Sequence, residues 1–192
     1  RDRIYTTVSN CDTDDDPTTP PPAPPMPPYE ESIFSLTLNG DPVWVWRPRE
    51  VDNDDLAVGA VPNLFEAEIG GKMREVVGYG DKSGEYFLLD RDGVNEITGK
   101  VEPYWRTKVV AGGDIGGIIS SASVGEDRVQ FTTAIGTDLA NFQRPAAHAL
   151  RAGDGSILWE NPNSLPSYGP GSGIPGVFFG GSLGGELIGY DS

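Results

Sequence analysis

At 192 residues the chain is long enough for one domain with a real core, or for part of a larger repeat architecture. Its formal net charge of -15 repels a phosphate backbone, which argues against non-specific nucleic-acid binding, and attracts hard cations. Hydrophobic residues make up only 37%, and no apolar run approaches the ~20 residues that a membrane-spanning helix needs.

The opening RDRIYTT has no basic segment followed by an apolar one, so no signal peptide is read in these residues. A short β-like run, RIYTTVSN, leads into CDTDDDPTTPPPAPPMPPYEES. Cys11 is the single cysteine, which leaves no internal disulfide framework and no cysteine zinc site. Prolines this dense fix φ and remove backbone donors, so residues 12–31 are predicted to be an exposed excursion of polyproline-II character. Two readings fit it: a plain insertion between strands, or a recognition segment, including one hydroxylated and glycosylated as in secreted wall-type proteins.

From Ser32 the text repeats. SIFSLTLNGDPVWVW (32–46), GEYFLLDRDG (84–93) with ITGKVEPYW (97–105), and AHALRAGDGSILWE (147–160) are variants of one unit. Each is a strand, a polar turn with glycine, and a second strand ending near tryptophan. Trp44 follows Gly40 by four residues, Trp159 follows Gly155 by four, and Trp105 follows Gly99 by two more than that. Between the copies lie further β runs, REVVGYGD, RVQFTTAIG and GVFFGGS, and no amphipathic helix. Short strands alternating with Asx-Gly turns predict antiparallel β structure, and repetition at roughly 40 to 60 residues predicts propeller blades. The expected fold is therefore all-β, about four blades or part-blades of a larger β-propeller.

The strand ending in Trp46 runs into a loop with Asp52, Asp54 and Asp55, three carboxylates in four residues. A solvated acidic loop and a metal or general-base site both fit that pattern. His148, the single histidine, sits in a predicted strand and reads as structural. Ser120, Ser121 and Ser123 lie near glycines, but the sequence has no G-x-S-x-G elbow and no second histidine for a triad. GGDIGG is followed by no helix, which removes a dinucleotide fingerprint.

At these residues the chain resembles the quinoprotein alcohol dehydrogenases, particularly the polyvinyl-alcohol-dehydrogenase-like branch. Those are eight-bladed propellers that bind pyrroloquinoline quinone (PQQ) and a cation near the central axis. The likeness covers nearly the whole chain, with GDKSGEYFLLDRDG as its best single motif, and corresponds to about a third to a half of a family member. The resemblance implies a role for each of four residues. Asp52, eight residues after Trp44, matches the general base, with Asp55 three further on. Asp54 matches the additional carboxylate ligand of the lanthanide-using members, a trivalent cation requiring more anionic oxygen than calcium. Asn10, ending YTTVSN, matches the amide ligand of the metal, so Asn10, Asp52 and Asp54 form the implied metal set. Lys82 matches the basic residue that hydrogen-bonds the quinone oxygen, where a cation stabilises the reduced form.

The implied function is alcohol oxidation by hydride transfer to PQQ, with calcium or a lanthanide as the second cofactor. The other reading is a non-catalytic extracellular scaffold or interaction module. The sequence departs from the family's pattern in having Asn53-Asp54 where a tryptophan is usual and Ser120 where an aromatic is frequent. It also has no counterpart to the front blades, which carry a metal-binding Glu, the aromatic floor under the quinone and a cysteine pair. Residues 1–192 are therefore expected to be one partial propeller domain, extracellular or periplasmic, and inactive as an enzyme by itself. Its open blade edges are expected to be covered by the remainder of a propeller, by another chain or by a second copy.

Overall fold

The structure is a computed structural model that describes residues 2–9, 29–50, 52, 54–125, 127–136 and 144–192. Among these no helix occurs, and the strands form four antiparallel sheets. The first holds β1 (Arg3–Val8), β2 (Ser32–Thr37) and β3 (Pro42–Trp46). The second holds β4 (Asn63–Ile69), β5 (Lys72–Gly80), β6 (Glu85–Asp90) and β7 (Trp105–Lys108). The third holds β8 (Ser123–Gly125), β9 (Arg128–Thr132), β10 (Ala147–Arg151) and β11 (Ile157–Glu160). The last holds β12 (Ser172–Ile174), β13 (Val177–Gly181) and β14 (Leu187–Asp191). These are four blades of a partial β-propeller, as the repeats predict.

Each blade is an antiparallel meander, so its connections alternate between two ends of the stack. One end gathers the links β3–β4, β5–β6, β7–β8, β9–β10, β11–β12 and β13–β14, and backbone hydrogen bonds lace them from blade to blade. Lys82 N–H donates to Ala57 O, Gly113 N–H to Lys82 O, Ala134 N–H to Gly117 O, Ser167 N–H to Thr133 O and Leu183 N–H to Pro166 O. The hairpin turns gather at the other end.

The two middle blades are covered on both faces, and their inner strands β6 (EYFLLD) and β10 (AHALR) are buried almost residue after residue for that reason. One cluster packs Ile33 against Val77, Tyr79, Phe87 and Leu89, between the first and second blades. A second packs Val76, Tyr86 and Leu88 against Val129, Phe131 and Leu150. A third packs Ala147 against Phe178 and Tyr190.

The three repeat tryptophans occupy one position. Trp44 stands opposite Ser35, Trp105 opposite Leu88 and Trp159 opposite Ala149, each partner two residues before the end of its strand. Trp44 and Trp105 reach into the next blade, where their indole N–H groups donate to Arg91 O (3.1 Å) and Ala152 O (3.0 Å). Each ring lies on the turn glycine there, so closely that a Cβ on Gly93 would sit 2.4 Å from Trp44 and one on Gly155 2.5 Å from Trp105. The capped glycine of the second blade is therefore Gly93. Gly99, which sequence spacing pairs with Trp105, belongs to a small excursion bridged from Asn95 to Lys100, and it has no such ring above it. Trp159 packs on Phe178 and Tyr190.

Of the predicted excursion, 12–28 lies outside the described residues. Its last two residues differ from the expected exposure, since Glu30 and Glu31 are buried. Glu31 takes a left-handed φ of 46° just before β2, which turns its side chain into the site described below.

Gly155→Ala and Gly40→Ala should separate the ring contact from the backbone cost. Both glycines have positive φ, so each substitution carries a left-handed penalty of about 1–2 kcal/mol. A Cβ on Gly40 meets nothing within 4 Å, whereas Gly155→Ala drives into Trp105 and should lose about 1–3 kcal/mol more. Urea unfolding that gives equal losses would mean the indole is not held against the turn.

Candidate functional site

Arg49 is the hub of the laced end. It follows Pro48 in the link after β3, and its guanidinium fork meets three elements at once. Nη1 donates to Glu31 Oε2 (3.1 Å) and to Leu56 O (3.1 Å), while Nη2 forms an ion pair with Asp81. Asp81, at the end of β5, is completely buried and also accepts the Ser83 N–H (3.0 Å) and hydroxyl. Burial pushes the Asp81 carboxyl up, against the guanidinium of Arg49 and the Ser83 hydroxyl, which favour the ionised form. Tyr79, fully buried two residues before Asp81, has a hydroxyl with no hydrogen-bond partner among the described residues.

Asp52 organises the loop that follows. Its Oδ1 accepts the Asp54 N–H (2.8 Å) and its Oδ2 accepts the Leu56 N–H (2.5 Å), a local closure typical of aspartate in turns. Its side chain also hydrogen-bonds that of Glu31. Burial raises the Asp52 carboxyl, but the bonds from Glu31 and from the two backbone N–H groups outweigh it and leave the group below its ordinary range. The reverse holds for Glu31, pushed up to about 8 by burial and then by the neighbouring Asp52. Burial and the neighbouring Asp52 thus favour the protonated form of Glu31, in which its hydroxyl can donate to Asp52.

Asp55 adopts a left-handed φ of 51°, and its Oδ2 sits 2.7 Å from Lys82 Nζ. Lys82 is itself seated by the glycine-rich link before β8. A Cβ on Gly112 would lie 2.3 Å from Lys82 O and one on Gly117 2.2 Å from it, so only glycine lets this link pass so close.

The structure thus brings together Lys82 and the Asp52–Asp55 loop, through Asp55. Asp54 contributes its backbone N–H, and its side chain is exposed. Asn10 lies outside the described residues. Among the described residues no group of three or more His, Cys, Asp or Glu side chains could hold a metal ion. Sequence reading missed Arg49, Glu31 and Asp81. Asp81 precedes Lys82 in an Asp-x-Ser turn pattern, and that signal was available; Arg49 and Glu31 carry none, because only the fold places them together. His148 is structural, as expected. It is buried, stacks on Phe131, and holds Glu160 (3.0 Å) and the Thr133 hydroxyl (3.3 Å); burial draws its pKa below the usual histidine range. Ser120 is buried with a hydroxyl that has no partner among the described residues.

Arg49→Met should destabilise the chain by about 3–5 kcal/mol in urea unfolding, because it leaves the buried carboxylate of Asp81 uncompensated. Glu31 should make stability depend on pH in a definite direction. The folded state keeps its proton up to about 8 while the unfolded chain releases it near 4.5, so folding binds more protons in between and stability falls as pH rises across that window. Glu31→Gln keeps a neutral donor to Asp52. Its unfolding midpoint should gain on the wild type steadily from pH 5 to 8, and parallel pH profiles would refute the assignment.

No protein-family model matches the chain, and no curated protein matches it in sequence. Among solved structures it is similar to a europium-containing methanol dehydrogenase, at 13% identity and a TM-score of 0.55, over 84% of this chain and 40% of that one. Other similar structures are BamB from Moraxella catarrhalis (16% identity, TM-score 0.36, 84% of this chain and 59% of that one) and a quinohemoprotein alcohol dehydrogenase from Pseudomonas putida (13%, 0.35, 79% and 38%). The chain therefore spans 38% to 59% of the length of these structures. Likeness at such identity carries the fold alone: this is part of a β-propeller.

Proposed function

We propose that the chain is part of a PQQ-dependent alcohol dehydrogenase-like propeller protein, and that its laced end forms one polar wall of the site where an alcohol is oxidised. The observation that carries this reading is the meeting of Lys82 with the Asp52–Asp55 loop, at 2.7 Å between Lys82 Nζ and Asp55 Oδ2. The resemblance implies that Lys82 and Asp52 belong to one site, and the contact through Asp55 is consistent with that. An extracellular or periplasmic location, and the treatment of 1–192 as one partial domain, belong to the same proposal. No helix among the described residues is long and apolar enough to cross a membrane.

The residues fit the two implied cofactors unequally. Lys82 suits a quinone oxygen, since its ammonium is partly accessible, seated by glycines and oriented by Asp55. Bound PQQ would supply the two-electron acceptor for the hydride. The cation does not fit the described residues: both Asp52 oxygens already accept backbone N–H groups, and Asp54 points its side chain to the surface. No step is therefore routed through a metal. What this chain itself supplies is a hydrogen-bond donor at Lys82 Nζ; Asp52, the implied base, already accepts from two backbone N–H groups and from Glu31, so it would have to give up one of these bonds to take a proton from an alcohol. Arg49 fixes the geometry by tying the loop to β5.

One observation favours the non-catalytic scaffold as a second reading. Asp52 and Lys82 are each engaged by other parts of the chain, which is what a purely structural cluster also requires. A PQQ titration followed by fluorescence quenching distinguishes the two. The dehydrogenase reading expects saturable binding that weakens roughly ten- to a hundredfold in Lys82→Ala, the value of one charge-assisted hydrogen bond. It expects no turnover from the isolated chain with alcohol, dye, PQQ and calcium or a lanthanide. Binding that is absent, or indifferent to Lys82, leaves the scaffold reading.

A further inference from the structure

A surface cleft opens between the third and fourth blades, beside the β8–β9 and β12–β13 turns and so at the end of the stack opposite Lys82 and Asp52. The ladder shows which side chains face it. Ser123 stands opposite Gln130 and Gly125 opposite Arg128, and these four alternate with Val124 and Val129, which pack toward the second blade. Across the gap lies Gly173 of β12. A Cβ there would sit 2.6 Å from Ser123 Oγ and 3.7 Å from Gln130 Oε1, so the hydroxyl and the amide border one point of the cleft, where the fourth blade has no side chain to fill it. Gly125 also leaves its side open, with nothing within 4 Å of its Cβ position. The resulting space is about 130 Å³ and is bordered as well by Ile174 and Pro175.

Two observations show what that space would take. Gln130 is 4% exposed, and its amide Nε2 has no hydrogen-bond partner among the described residues. A buried donor without an acceptor costs free energy, and a ligand that brings an oxygen to it recovers that cost. The second observation is charge. Arg128 stands directly opposite Arg151 in the β9–β10 ladder, and two guanidinium side chains set side by side favour an anion near them. Asp127 Oδ2 answers Arg151 at 3.3 Å, and Arg128 lines the cleft. Amide, hydroxyl and guanidinium together are donors suited to the two oxygens of a carboxylate.

We propose that this cleft binds a small carboxylate of about six non-hydrogen atoms, since a cavity of about 150 Å³ holds benzene. Its oxygens are held by Gln130 Nε2, the Ser123 hydroxyl and the Arg128 guanidinium, and its carbon chain lies toward Ile174 and Pro175. All three holding groups belong to β8 and β9. Ser192, whose N–H donates to Gly176 O (3.1 Å), adjoins the cleft beside the β12–β13 turn and makes none of these contacts. A net charge of -15 repels anions at long range, and a singly charged carboxylate suffers least from it. This inference stands apart from the proposed chemistry and survives if that reading fails.

Butyrate is a probe of the right size. Titrated into the isotope-labelled 192-residue chain, it should shift the NMR signals of the Gln130 side-chain amide saturably. Butyramide and butanol, of similar size but uncharged, should bind roughly tenfold more weakly or worse. Gln130→Leu should weaken butyrate roughly ten- to a hundredfold, read from the backbone signals of Ser123 and Gly125, while urea unfolding stays as cooperative as in the wild type. Ser123→Ala, a smaller change at the same point of the cleft, replaces Gln130→Leu if that variant misfolds. No saturable shift in the wild type, equal binding of the three probes, equal binding of inorganic phosphate, or an affinity indifferent to the substitution would each overturn the proposal.

Discussion

Each blade is a small sheet that must bury an apolar face against a neighbour, and the two middle blades bury both faces. At two of the three joints the device that covers them is an indole, Trp44 or Trp105, laid on a neighbour's turn glycine with its N–H handed to a carbonyl of the same turn; Trp159 packs instead on Phe178 and Tyr190, and its buried N–H has no partner among the described residues. Where the glycine is capped, burial and hydrogen bonding are satisfied in one contact, and the N–H fixes where along the strand the next blade must sit. The offset of one blade against the next follows from it. So does the gathering of the blade-to-blade links at one end, because blades set at a common height bring equivalent loops together.

At that end a different force takes over. Arg49, Glu31 and Asp81 are charged or chargeable groups removed from water, an arrangement that gains little over well-packed apolar side chains but fails badly if one member is lost. Its value is positional. The guanidinium fork ties three segments distant in sequence to one plane, and the proton on Glu31 lets two carboxyl groups approach without mutual repulsion. Lys82 and Asp55 then meet at the rim of this fixed frame.

Much of the architecture was legible because repetition writes the same physical problem several times. The polar turns and the tryptophans gave the blade count and the equivalence of Trp44, Trp105 and Trp159. Spacing failed at Gly99, where the long link between β6 and β7 displaced the count and hid Gly93 as the capped residue. Legibility of the site was narrower. The acidic run and Lys82 could be singled out by resemblance, and they do lie together. The use of both Asp52 oxygens inside its own loop could not be read, since a carboxylate in sequence is silent about which N–H groups will face it. Arg49 and Glu31 were invisible for a related reason: neither stands in a motif, and their partnership exists only after the sheets have stacked.

The pairing of β1 with β2 begins at Val8 opposite Ser32, so the proline-rich link enters and leaves the blade at two residues that the ladder already holds side by side. A closed loop anchored in this way can change length at small entropic cost, about 0.6 kcal/mol for each doubling. Glu31 stands on the anchored side of that closure and belongs to the buried frame. The ladder thus fixes where the link between β1 and β2 begins and ends, and a change in the length of that link would leave Glu31 and the frame beneath it tethered at the same place.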